Sequence, residues 1–267
     1  MATYQFPLDE YYARIDVPFS GKPTVDRLKE LQRAQVYTIP FENLDIQLGR
    51  GIDLTPSHVD DKVIRRQRGG YCFELNGLFC RALRAAGFEV RPLLARVHNG
   101  DEPGGRCHQL SLVSIAGRDW IVDVGFGKAS PRVPIPLEFD TPTDHDGTSL
   151  RLTNHELGYM LQKDQDGHWD TLYSFDLCPV VPKDIVVANY FTSTHPGIHF
   201  TTSRMAVLCH PEGDTRLLNY RCTTSRRGKE QVEQFPDADL YLEKLKQQFG
   251  IQLDATYDQL QPVQEDM

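Results

Sequence analysis

Positive charge is in short supply in this sequence. Its 29 Lys and Arg are outnumbered by 37 Asp and Glu, leaving a net charge of −8. Nonspecific nucleic-acid binding draws on surplus cations to displace counterions, so no nucleic-acid partner is expected. An anionic membrane surface is disfavoured on the same ground. No apolar run approaches the length of a membrane span. The opening MATYQFPLDEYY has no basic stretch followed by an apolar one, so no secretory leader is expected. No Asn-x-Ser/Thr site occurs, and the six cysteines (Cys72, Cys80, Cys107, Cys178, Cys209 and Cys222) include no Cys-x-x-Cys pair. With no export signal they are expected as free thiols in a reducing cytoplasm. What remains is an ordinary globular composition, 40% hydrophobic and 25% charged. A chain of 267 residues buries roughly 70–75% of its unfolded surface and needs neither disulfide nor metal to fold.

The apolar pattern changes period along the chain. The first 88 residues read mostly helical. Thr24 is placed to cap a helix carrying Val25, Leu28, Leu31 and Ala34 on one face. Thr55-Pro56 is a second helix start, running to about Arg65 and Arg66. A third helix begins near Cys72, after Gly69-Gly70, buries Leu75, Leu78, Phe79, Ala82 and Leu83, and stops at Gly87. Strands are expected over 89–97, 108–115 and 119–124, then over 150–153, 157–163 and 168–175, with Gln165-Asp166-Gly167 as a turn. Residues 129–149 read as a loop, and 179–200, with three prolines, as irregular. A strand–strand–helix section closes the chain, its helix carrying Leu242, Leu245 and Phe249 and ending at Gly250. A helical block, a strand block and a mixed block, in that order, predict an α+β protein rather than alternating βαβ units.

Three side chains suggest chemistry. Cys72 opens a helix directly after two glycines. The unpaired N–H groups of a helix start favour thiolate, so its pKa is expected to fall. At about 100° per residue it shares a face with Leu75, Asn76 and Phe79. His108 opens a strand, and Asp123 stands amid apolar residues on the next one. A hairpin turning at Ala116-Gly117-Arg118 brings the distal ends of these strands together, where the carboxylate would fix the His tautomer. Each residue alone has a plain structural explanation: a buried thiol, a strand-end histidine, a salt-bridged aspartate. Together they make a thiol–imidazole–carboxylate set the better reading.

Other candidates fare worse. Gly125-Phe126-Gly127-Lys128 lacks the spacing of a Walker A loop. His195 and His199 have i,i+4 spacing, but Pro196 and Gly197 between them oppose a helix and so a metal pair. Cys107-His108 has no second ligand pair at zinc spacing. Arg226-Arg227-Gly228-Lys229 reads as a solvated turn.

These residues in this order resemble the arylamine N-acetyltransferase family. The carriers are Ile39-Pro40-Phe41-Glu42-Asn43-Leu44, Arg68-Gly69-Gly70-Tyr71-Cys72-Phe73-Glu74-Leu75-Asn76, His108, Asp123-Val124-Gly125-Phe126-Gly127 and Phe191-Thr192-Ser193-Thr194-His195-Pro196. The resemblance spans nearly the whole chain and is nearer to bacterial members, with Cys107 beside the histidine as a local difference. It implies a helical bundle over 1–88 carrying the nucleophile, a β-barrel over 89–190 carrying His and Asp, and an α/β lid over 191–267, around a cysteine-protease-like core. It implies a catalytic triad of Cys72, His108 and Asp123, acetyl-CoA as cosubstrate, no metal, and double displacement onto an arylamine, with hydrazines and N-hydroxyarylamines as further acceptors. It implies substrate contacts at Phe41, Phe126 and Phe191 and coenzyme A contacts at Gly125, Gly127, Thr192 and Ser193. The alternatives are a transferase using a longer acyl-CoA, a Cys-His-Asp hydrolase, and a non-catalytic binder. Phe73 after the nucleophile, where papain-like enzymes have Trp, weighs against the hydrolase.

Overall fold

The computed structural model describes residues 4–19, 21–100, 102–236 and 238–263. Its N-terminal third is built from helices α1 (Leu8–Arg14), α2 (Val25–Thr38), α3 (Leu44–Gln47), α4 (Pro56–Asp60) and α5 (Cys72–Ala85), with a two-residue strand β1 (Phe41–Glu42) between α2 and α3. Thr24 caps α2 as expected, its hydroxyl accepting the Arg27 N–H. Pro56 starts α4, which runs into a π turn over Asp61–Arg65. Beyond α5 the chain turns at Gly87, whose φ of +87° suits a residue without Cβ. The apolar faces of α1, α2 and α5 close on one core that also takes Val113 and Val122 from the strands below and Val124 just past β4.

Those strands are β2 (Glu89–His98), β3 (Pro103–Ile115), β4 (Arg118–Val122), β5 (Ile135–Pro136), β6 (Thr143–Asp144), β7 (Ser149–His155), β8 (Gly158–Gln165) and β9 (His168–Phe175). They pair antiparallel in the order β5-β4-β3-β2-β9-β8-β7-β6. Alternate residues of seven of them, among them Leu93, Leu110, Ile121, Leu152, Leu161 and Tyr173, meet in one interior cluster, the packing of a nearly closed barrel. The β3–β4 turn is Ala116-Gly117, both at positive φ (51° and 78°), the mirror-image turn that matches strand twist. Asp166-Gly167 (53° and 90°) makes the same turn between β8 and β9. Residues 129–149 are mostly loop, as expected, with β5 and β6 as short additions.

Two expectations fail in the last third. Residues 182–194, expected to be irregular, form helix α6 (Pro182–Thr194). Pro182 stands at its first position, where a missing N–H costs nothing, and Asp184 accepts the Val181 N–H at 2.9 Å. The apolar residues of α6 do not form one stripe, since Val186, Val187 and Tyr190 face outward, so helical periodicity is weak. After α7 (His199–Thr202) come four strands where two were expected: β10 (Met205–His210), β11 (Gly213–Leu218), β12 (Arg221–Arg226) and β13 (Lys229–Gln234). They form a meander to which β1 adds as the outer strand beside β10. Helix α8 (Asp239–Phe249) covers this sheet through Tyr241, Leu245 and Phe249 and ends at Gly250 in the left-handed region. The chain has a mixed α/β fold. Among the described residues no helix is long and apolar enough to cross a membrane.

Candidate active site

Cys72 is the first residue of α5, and the approach to it is packed tightly. A Cβ on Gly69 would lie 2.1 Å from the Pro40 carbonyl oxygen, and one on Gly70 2.8 Å from the Glu74 Cβ. Only glycine fits either place. Behind them lies a buried charge network. Arg68 pairs with Glu42 at 2.7 Å and Asp45 at 3.3 Å; Lys62 pairs with Asp45 at 2.6 Å and Glu74 at 2.8 Å. Glu74 also accepts the Tyr71 N–H at 3.0 Å, fixing the residue that precedes the thiol. Burial pulls the Lys62 ammonium down, but Glu74, Glu42 and Asp45 outweigh it and hold the group above its ordinary range. Lys62, Asp45 and the role of Glu42 went unnoticed in the sequence, where the sign was a set of charges inside otherwise apolar helical segments.

His108 and Asp123 meet as the hairpin register predicts. Ser111 pairs with Val122, so Asp123, one residue on, falls opposite Leu110 with His108 as its diagonal neighbour on the same face. His108 Nε2 lies 2.7 Å from Asp123 Oδ2, with side-chain exposures of 3% and 0%. The other carboxylate oxygen accepts from Asn76 Nδ2 and the Gly125 N–H, both at 2.9 Å. Asn76 also donates to the Gln109 carbonyl at 2.6 Å and accepts the Val124 N–H at 3.0 Å. One turn past the thiol, it thereby ties α5 to the middle of β3 and to the chain just past β4. Burial raises the Asp123 carboxyl, but His108, Asn76 and Gly125 reverse this, and the net shift is downward. On β3, Ala95 pairs with His108 and Arg96 with Arg106. Cys107 is therefore the extra residue of a β-bulge, which re-aims the strand at the histidine.

The thiol differs from the expectation. Burial pushes Cys72 well up, Asp123 adds to this, and the Gln109 and Phe73 N–H groups pull only partly the other way. Desolvation outweighs the helix-start effect that the sequence suggested. A thiolate here therefore requires that a neighbouring base hold the proton. Asp123 engages Nε2 of His108, and among the described residues Nδ1 has no hydrogen-bond partner.

A cavity of about 860 Å³ opens onto this corner. Cys72, His108, Phe41, Phe126, Phe191, Gly125, Gly127 and Thr192 all border it. Phe126 stands edge-on to the imidazole at 5.0 Å, and Tyr173, not anticipated, packs on both rings. Phe41 packs against Phe200 at 5.9 Å. Gly125 is pressed against Cys72, where an added Cβ would lie 2.9 Å from its Cα. Ser193 is the exception among the expected contacts. It does not border the cavity; its hydroxyl donates to the Asn189 carbonyl at 2.8 Å, on the buried side of α6. His195, whose metal pairing the sequence opposed, packs on Phe191 at 4.7 Å. Among the described residues no three His, Cys, Asp or Glu side chains group as metal ligands.

Comparison with known proteins places the chain among N-acetyltransferases: the family model of that description matches residues 24–257. The arylamine N-acetyltransferase / N-hydroxyarylamine O-acetyltransferase of Salmonella typhimurium is 38% identical over 250 residues, covering 91% of this chain and 88% of that protein. The solved arylamine N-acetyltransferase from Salmonella typhimurium superposes with a TM-score of 0.88 at 36% identity, covering 94% of this chain and 92% of that one. The Mycobacterium marinum arylamine N-acetyltransferase in complex with CoA gives 0.86 at 33% identity, covering 91% and 92%. The chain belongs to the arylamine N-acetyltransferase family, as its RGGYCFELN and DVGFG segments indicated. It is an acyltransferase.

Proposed function

We propose that the protein moves an acetyl group from acetyl-CoA to an arylamine by double displacement through acetyl-Cys72. The carrying observation is the buried His108–Asp123 pair at 2.7 Å on the same cavity as a thiol at a helix start. His108 takes the thiol proton, and the Cys72 thiolate attacks the thioester carbonyl carbon. Charge on the carbonyl oxygen is met by N–H groups of the first turn of α5. The carbon–sulfur bond to coenzyme A breaks, and His108 returns its proton to the leaving thiolate. The arylamine nitrogen, little protonated at neutral pH, then attacks acetyl-Cys72. Its proton passes to His108, the Cys72 thiolate leaves, and the amide departs. Asp123 orients the imidazole and stabilises its charged form throughout.

Phe41, Phe126 and Phe191 are the rings on which a flat acceptor stacks. Gly125, Gly127 and Thr192 line the path of coenzyme A, the ligand named for the Mycobacterium marinum relative. The name of the Salmonella relative extends the proposed acceptors to N-hydroxyarylamines. In this reading 1–88 supplies the nucleophile, 89–190 the His and Asp, and 191–267 a lid. The cytoplasm, where the six free thiols stay reduced, is the proposed compartment.

Intact-protein mass spectrometry tests the mechanism. Incubation with acetyl-CoA alone should add one acetyl group, which an arylamine removes and Cys72→Ala never acquires. Turnover should fall by roughly 10⁴-fold or more in Cys72→Ala. Wild-type turnover in that variant would overturn the reading.

A further inference from the structure

The triad and the aromatic rings leave one side of the cavity unexplained. Its wall also carries Lys128, Arg216 and Arg221, on a protein whose net charge is −8. Glu102 is the single carboxylate among the described lining residues. The three cations come from separate places: the turn after β4, the middle of β11 and the start of β12. Leu218 pairs with Arg221 across the β11–β12 hairpin, and Cys209 of β10 reaches the Gly127 carbonyl at 3.6 Å, holding the turn against the sheet. All three act on Glu230 of β13, Arg216 first, and hold its carboxyl below the ordinary range.

Their pairing is unequal. Arg216 is bound by Asp214 at 3.0 Å and by Glu230. Lys128 and Arg221 are exposed and have no ion-pair partner among the described residues. The turn that presents Lys128 is stiff: Arg132 donates to the carbonyls of Ser130 at 2.6 Å and Lys128 at 3.2 Å, and Ser130 Oγ accepts the Phe126 N–H at 2.8 Å. Nearby Lys163 is pushed below its ordinary range by burial, with Lys128 and Arg132 adding to the effect. Positive charge not closed into ion pairs thus borders the same cavity as the nucleophile. Such a wall is built for a substrate that is anionic at one end and reactive at the other.

We propose that Lys128 and Arg221 seat the phosphate groups of the acyl donor, with Arg216 held in reserve by its own carboxylates, so that the thioester end reaches Cys72. The inference rests on the reading of the chain as an acyl-CoA-dependent transferase. It moves charge recognition of the donor away from Gly125, Gly127, Thr192 and Ser193, none of which carries charge.

Steady-state kinetics of Lys128→Gln, Arg221→Gln and the double variant provide the test. In double displacement, kcat/KM for the donor reports only the first half-reaction, and kcat/KM for the amine only the second. The donor value for acetyl-CoA should fall about tenfold in each single variant and further in the double. The loss should be confined to that donor: p-nitrophenyl acetate, an activated ester without phosphate, and the arylamine should keep their values. Added salt should depress the acetyl-CoA value more in the wild type than in the double variant. A double variant within twofold of wild type for acetyl-CoA, or an equal loss with p-nitrophenyl acetate, would overturn the proposal. Failure of the transferase reading would show separately, as a wild-type Cys72 that neither donor acetylates.

Discussion

His145 shows how one side chain sets the shape of the loop that carries Phe126 and Lys128. Its Nδ1 accepts the N–H groups of Arg132 and Val133 at 3.1 and 3.3 Å, and its Nε2 lies 2.7 Å from Thr143 Oγ1. Burial, and then the charge of Arg132, push its pKa down to about 4. The fold therefore binds the neutral ring, whereas an unfolded chain protonates it near pH ~6.5. The contribution to stability is complete above about pH 6.5 and drains away as pH falls towards about 4. It is worth a few kcal/mol at most. Thermal melts of wild type between about pH 7 and about pH 4.5 should show a steeper loss of Tm than those of His145→Gln. Parallel slopes would refute this account. The histidine was invisible in the sequence because it lies in a Pro- and Asp-rich stretch that reads as solvent-exposed.

Helix α5 is held less by its propensity than by what lies under its first turn. Leu75, Leu78, Phe79, Ala82 and Leu83 supply the apolar face that the sequence displays plainly. The position of Cys72 along the site depends on Lys62, Arg68, Glu42, Asp45 and Glu74, buried together. Taking one partner from such a set strands the others without water. Lys62→Met should lower the free energy of unfolding by about 3–5 kcal/mol in urea titration. A loss under about 1 kcal/mol would mean that water or neighbouring groups already satisfy Asp45 and Glu74. The network was illegible because a charge at helical spacing normally faces solvent, and only the packing of α3, the π turn and α5 turns these charges inward. Helix α6 was hidden for a different reason. Its two faces are alike in apolarity, and the proline that starts it reads in sequence as a breaker.

At the scale of the molecule, the parts are sewn together rather than merely adjacent. Phe41 and Glu42 belong to the helical third, yet they form the edge of the C-terminal sheet through Val207 and Ala206. Asn43 reaches the same region, donating to the carbonyls of Phe200 and Ser203 and accepting the Met205 N–H. Arg204, buried beneath the rings of Tyr220, Tyr241 and Tyr257 and bonded to the Gln261 carbonyl at 2.7 Å, pins the C-terminal segment to that sheet. Unfolding one third exposes unpaired backbone in another, so the chain should melt as a unit. Both tryptophans, Trp120 on β4 and Trp169 on β9, report on the eight-stranded sheet. Their fluorescence transition in urea should coincide with helix loss followed by far-UV circular dichroism. A gap between the two midpoints would show that barrel and helices unfold independently.

The identity of the chemistry is local and was written in the chain. A helix start after paired glycines, and a histidine and an aspartate on the two strands flanking a two-residue turn, are set by backbone sterics and strand register, which neighbouring residues decide. The closing of the barrel, the inward turn of five charges, the raised thiol and the withdrawal of Ser193 from the cavity belong to the tertiary structure. So does the convergence of Lys128, Arg216 and Arg221 on one wall. Each of these depends on what is desolvated and what stands opposite it, and those neighbours come from residues far apart in sequence.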